Sequence, residues 1–125
     1  MNLKLMIVED DEISMTFIEL LLEPISRQII LAKNGEEAVK LYRDNQDVDL
    51  ILMDIKMPEL DGYEATRQIR QMNQDVIIIA QTAYSLIGDR DKSIEAGCND
   101  YITKPIFKDK LMALISKYFN NLVEH

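Results

Sequence analysis

What most limits the folds open to this chain is a regular alternation of short apolar runs with amphipathic stretches. The apolar runs span residues 3–8, 29–32, 48–53, 76–80 and, more briefly, 101–103. The first, third and fourth are nearly uninterrupted and together rich in β-branched residues, as strands covered on both faces are. Between them, helical patterns are predicted over 12–22, 35–43, 62–72, 87–96 and 108–122. Five strands alternating with five helices imply an α/β fold with a parallel sheet, because parallel neighbours need crossover connections. The punctuation agrees. Pro24 ends the first helix, Asn34-Gly35 opens the second, Pro58 and Asp61-Gly62 mark a tight loop before the third, and Gly97 stands where a left-handed C-cap belongs.

A length of 125 residues fits a single domain over 1–125, and 47% apolar residues suffice for its core. No apolar run approaches the ~20 residues of a membrane span, and no signal-type leader is visible, so a cytoplasmic protein without membrane insertion is expected. The single Cys98 cannot close an intrachain disulfide, in keeping with a reducing compartment. Twenty-two acidic against fourteen basic residues give a formal charge of −8, which disfavours direct nucleic-acid binding.

In open α/β sheets the functional site lies beyond the carboxyl ends of the strands. The residues that finish the apolar runs are Glu9, Asp10 and Asp11, then Asp54, then Thr82, then Lys104. Singly, each has a bland reading: helix cap, loop acid, turn hydroxyl, solvated charge. Asp11 in particular reads equally well as a plain N-cap. Together they put several carboxylates, a hydroxyl and an ammonium on one rim. Crowded carboxylates repel one another unless a cation neutralises them, and Mg²⁺ suits such oxygen donors. One carboxylate can also attack phosphorus to give an aspartyl phosphate, with Lys and metal neutralising the phosphoryl oxygens.

The runs Val8-Glu9-Asp10-Asp11, Met53-Asp54-Ile55-Lys56-Met57-Pro58-Glu59-Leu60-Asp61-Gly62, Gln81-Thr82-Ala83 and Tyr101-Ile102-Thr103-Lys104-Pro105 occur in this order. With this spacing the chain resembles the receiver domain of two-component response regulators. The resemblance covers nearly the whole chain, and its details look most like receivers attached to hybrid sensor histidine kinases. It implies a doubly wound, flavodoxin-like (βα)5 sheet with strand order 2-1-3-4-5. It also implies that Asp54 is the phosphoacceptor and that Glu9, Asp10, Asp54 and the Lys56 backbone carbonyl hold Mg²⁺. Asp11, one place beyond the acidic pair, is not assigned to the metal. Thr82 matches the switch hydroxyl, Tyr101 the aromatic switch, and Lys104 the lysine that pairs with the phosphoryl group, with a cis bond to Pro105. A partner histidine kinase or histidine phosphotransfer domain would donate the phosphoryl group. The surface of the fourth helix, fifth strand and fifth helix would respond, in some receivers by homodimerisation.

The first helical pattern carries two apolar stripes. Ile13, Phe17 and Leu20 form one; Met15, Ile18 and Leu22 form the other, on roughly the opposite side. Periodicity does not say which is buried. Receivers usually bury the second, which would leave Ile13, Phe17 and Leu20, with Pro105 and Ile106, to dock the phosphodonor. Tyr84, two beyond Thr82, is expected to screen the phosphoryl group and slow hydrolysis, and Lys56 holds the matching position beyond Asp54. His125, the only histidine, reads as a tag remnant. A flavin-binding domain of this architecture would want a phosphate-cradling loop where Glu9-Asp10-Asp11-Glu12 stands. A haloacid-dehalogenase-like phosphatase would want a second Asp two residues after Asp54, where Lys56 stands. The intact rim also weighs against a pseudo-receiver that serves only for interaction.

Overall fold

The computed structural model describes residues 2–56, 60–83 and 87–119. Tyr84, Pro58 and His125 lie outside the described residues. The elements follow in the order β1 (Leu3–Val8), α1 (Glu12–Leu22), a 3-10 turn (Glu23–Ile25), β2 (Ser26–Ala32), α2 (Gly35–Asp44), β3 (Leu50–Asp54), α3 (Gly62–Met72), β4 (Ile77–Thr82), α4 (Ile87–Ala96), β5 (Asp100–Thr103) and α5 (Lys108–Tyr118). All neighbouring strands pair in parallel, and the sheet order is β2-β1-β3-β4-β5. This is the α/β architecture expected, with the strand order 2-1-3-4-5.

Alternation along the strands divides the core in two. Met6, Val8, Ile51, Met53, Ile78 and Ala80 face α2 and α3, where Ala38, Val39, Tyr42, Ala65 and Ile69 meet them. Leu5, Ile7, Leu50, Leu52 and Ile79 face α1 and α5, and pack on Ile18, Leu22, Leu111 and Ile115. Each fully buried aliphatic side chain stabilises the fold by about 1.5–3 kcal/mol.

On α1 the buried stripe is Met15, Ile18 and Leu22, while Ile13, Phe17 and Leu20 are 82%, 48% and 63% exposed. Pro24 falls inside the 3-10 turn that follows the helix.

Three helices open on side-chain caps: Asp11 accepts from the Ser14 amide, Asn34 from Glu37 and Asp61 from Glu64. Gly97, with φ +119°, gives the left-handed turn after α4. The helical pattern expected to run to residue 122 closes at Tyr118. Strand β2 starts three residues earlier than its apolar run, because it is the sheet's edge strand and Arg27 and Gln28 point into solvent.

Candidate functional site

The strand register assembles the rim. Val8 pairs with Met53, which puts Glu9 and Asp10, just past the end of β1, beside Asp54, the last residue of β3. Asp54 pairs with Gln81, and Thr82 with Thr103, so Thr82 and Lys104 close the far side. Asp54 and Thr82 are themselves strand residues rather than the loop residues that follow.

Backbone bonds hold these ends in place. The Glu9 amide donates to the Ala32 carbonyl (3.0 Å), Ile55 to Gln81 (3.2 Å) and Lys104 to Thr82 (2.7 Å). Gly62 sits where a Cβ would run into the Asp54 carbonyl oxygen, so only glycine lets the start of α3 close onto this strand end.

Glu9, Asp10 and Asp54 each bring a carboxylate oxygen within 4.8 Å of the other two. Glu9 and Asp54 are buried and Asp10 is exposed. The Lys104 ammonium donates to Glu9 Oε1 at 2.9 Å and to Asp54 Oδ2 at 3.4 Å. The Lys56 amide donates to Asp54 Oδ1 at 3.2 Å.

Burial pushes the Glu9 carboxyl up to about 7; the Lys104 hydrogen bond opposes this and the Asp54 carboxylate adds to it. Burial acts to lower the Lys104 ammonium, but its bond to Glu9 and the Asp54 charge leave it above the usual lysine value. Three carboxylates against one ammonium leave uncompensated negative charge in a partly buried site. An all-oxygen donor set with one exposed member fits a hard divalent cation such as Mg²⁺. Asp11 lies outside this cluster: its carboxylate caps α1, accepting from Ser14 at 2.8 Å.

Thr82 is buried beside the rim, and the Lys104-Pro105 bond is cis. Tyr101 is half-buried against the α2/α3-side core, with the Arg90 guanidinium 6.0 Å from its ring centroid.

A groove of about 190 Å³ separates α1 from residues 104–106, lined by Ser14, Phe17, Ile18, Gln81, Lys104, Pro105 and Ile106. Among the residues expected to dock a partner, Ile13, Phe17, Leu20 and Pro105 present surface. Ile106 does not: it is 6% exposed, because its side chain packs into the α1/α5-side core with Ile18, Leu111 and Ile115. Two further residues have no assigned role in the sequence reading, although Gln81 stands in one of its runs. Gln81 is fully buried under the groove, and Phe107 stands 58% exposed beyond Ile106. The available signals were a polar residue inside an apolar strand and an aromatic where a helix cap belongs.

The family model described as the response regulator receiver domain matches residues 5–116. Hybrid signal transduction histidine kinase I of Dictyostelium discoideum is 36% identical over 97% of this chain, although the chain spans only 7% of that protein's length. The polar-differentiation response regulator DivK of Brucella anthropi is 36% identical, with 93% of this chain and 95% of that protein covered.

Two solved structures superpose closely. The receiver domain of the Saccharomyces cerevisiae response regulator Ssk1, crystallised with the histidine phosphotransfer protein Ypd1, gives a TM-score of 0.87 at 34% identity, covering 94% of this chain and 88% of that one. The receiver domain of sensor histidine kinase PA1611 from Pseudomonas aeruginosa, with magnesium in its active site cleft, gives 0.86 at 37% identity, covering 96% and 99%.

Proposed function

This chain belongs to the response regulator receiver domains of two-component signalling, and from that premise we propose that Asp54 is its phosphoacceptor. The convergence of Glu9, Asp10 and Asp54 within 4.8 Å, bridged by Lys104, carries this reading. In the reaction, an Asp54 carboxylate oxygen attacks the phosphorus of a partner's phosphohistidine. The new O–P bond forms as the P–N bond breaks, and the imidazole leaves with the bond's electron pair and takes up a proton.

Glu9, Asp10, Asp54 and the Lys56 carbonyl are the groups that would hold Mg²⁺. When bound, the ion supplies positive charge to the phosphoryl oxygens. Lys104, already between Glu9 and Asp54, moves toward the phosphoryl group as a second counter-charge. Thr82 donates its hydroxyl to a third oxygen. Its inward shift opens space for Tyr101, and the α4-β5-α5 surface changes as a local charge event biases a two-state element. Attack by water on the aspartyl phosphate returns the site to its starting state.

The phosphodonor, a histidine kinase or histidine phosphotransfer domain, docks on Ile13, Phe17, Leu20 and Pro105. The Ypd1 complex of a receiver relative supports a partner of this kind.

Borohydride reduction followed by peptide mapping tests the acceptor. After incubation with acetyl phosphate and Mg²⁺, Asp54 should be recovered as homoserine, and chelation of the metal should prevent it. Reduction at another acid, or equal reduction without metal, would contradict the reading.

A further inference from the structure

One side chain next to the rim carries a cost that the fold itself does not need. Gln81 is fully buried, and neither the oxygen nor the nitrogen of its carboxamide has a hydrogen-bond partner. A buried amide left unpaired lowers stability, and an apolar side chain of similar shape would avoid the loss. Ile77 and Ile79, the preceding positions on the same face of β4, pack in the α1/α5-side core in the ordinary way.

Register puts this amide beside the acceptor. Gln81 pairs with Asp54 on one side and Ile102 on the other, and residues paired in a parallel ladder project from the same face of the sheet. That face is the one α1 and α5 cover, since Ile79 and Ile102 belong to their half of the core. Lys104 stands two residues past Ile102, with its amide held by the Thr82 carbonyl at 2.7 Å, and it lines the same groove as Gln81. Ser14 is the only other polar side chain in that lining. Among the described residues the Lys104 ammonium donates to Glu9 and Asp54, which leaves one of its three N–H groups over.

Resting on the reading that Glu9, Asp10 and Asp54 hold Mg²⁺, we propose that Gln81 is a positioning residue whose Oε1 accepts the Lys104 ammonium when those carboxylates turn to the metal. Lys104 and a divalent cation compete for the same oxygens, because its two acceptors are also two of the three candidate ligands. A displaced ammonium with no second acceptor would lose its charge-assisted bonds inside a part-buried site. Gln81 offers it a neutral oxygen, which holds the ammonium without adding a carboxylate that would draw the cation away. The move needs only side-chain rotation, since the Lys104 backbone stays on Thr82. At Gln81 the ammonium also stays next to Asp54, where the phosphoryl oxygens will need it.

Gln81→Met tests the proposal, by titration calorimetry with Mg²⁺ and by melting of the metal-free chain, alone and in the Lys104→Met background. Methionine keeps the length of glutamine and removes both polar atoms. Metal-free Tm should rise, because a buried unpaired amide is gone. Mg²⁺ should bind about tenfold more weakly to Gln81→Met than to the unaltered chain, since the displaced ammonium has no acceptor. With Lys104→Met already present, adding Gln81→Met should leave Mg²⁺ affinity within about twofold. The same tenfold loss in that background would overturn the proposal, because Gln81 would then act without Lys104. A fall in metal-free Tm would show the amide paired in the resting fold and overturn it too. If Mg²⁺ binds the unaltered and Gln81→Met chains equally, the positioning role fails and the metal reading stands. If the unaltered chain binds no Mg²⁺, the metal reading fails and the proposal with it.

Discussion

Lys104 sets the charge balance of the rim, because its ammonium lies between Glu9 and Asp54, where a divalent cation would also act. Lys104→Met removes this internal counter-charge while leaving the three carboxylates in place. Titration calorimetry should show Mg²⁺ bound about tenfold more tightly, and phosphorylation by acetyl phosphate should slow by about tenfold or more, since the phosphoryl oxygens lose a cation. Weaker metal binding in the variant would show that Lys104 supports the metal rather than competing with it. Cys98 makes an opposite kind of case. Burial pushes its thiol up to about 11, against the smaller effects of the Thr66 hydrogen bond and the Arg70 charge. The native thiol should resist maleimide at pH 8 and react once the chain unfolds. Because the unfolded thiol ionises first, Cys98 should also make the fold less stable as pH rises from about 9 to about 11. At this scale the charged rim was legible, since acids, a hydroxyl and a lysine at strand ends are chemically conspicuous. Arg70 was not. Its guanidinium donates to the carbonyls of Gly97 (2.8 Å) and Val76 (2.6 Å), and backbone acceptors leave no mark in a sequence.

Element boundaries show why the rim was legible in kind but displaced in detail. An apolar run stops at Met53 and at Ala80, yet the ladders continue through Asp54 and Thr82, because backbone pairing does not depend on apolar side chains. Site residues are the polar ends of strands, so hydrophobic patterning places them one or two positions outside. Gly62→Ala probes this junction. An added Cβ must push α3 away from the Asp54 carbonyl, so urea unfolding should show a loss of about 1–3 kcal/mol, with slower labelling of Asp54. Unchanged stability would mean that α3 need not approach the strand end so closely. On α1, two equal stripes could not be ranked by periodicity, because either satisfies a helix with one buried face. The structure buries Ile18 and exposes Phe17. Ile18→Ala should therefore cost about 2–5 kcal/mol in urea unfolding, whereas Phe17→Ala should cost under about 1. Phe17→Ala should instead weaken transfer from a protein donor while leaving acetyl phosphate labelling intact.

For the whole molecule, five parallel strands with α1 and α5 on one face and α2 and α3 on the other carry every rim residue to the same edge of the sheet. That architecture was legible from the alternation of runs, since parallel strands admit few alternatives once helices separate them. The groove beside α1 was only half legible: of the residues expected to dock a partner, Phe17, Pro105 and Ile106 line it, whereas Ile13 and Leu20 lie outside its lining, elsewhere along α1. Its contents depend on how α1 and the residue 104–106 segment face each other, a relation between distant parts of the chain that local patterning does not hold. On the proposed function, this assembly makes Asp54 a phosphoacceptor. Intact mass after incubation with acetyl phosphate and Mg²⁺ tests it most directly, with the unaltered chain beside Asp54→Ala. The unaltered chain should gain one phosphoryl group and the variant none. The same gain in both, or in neither, would contradict it.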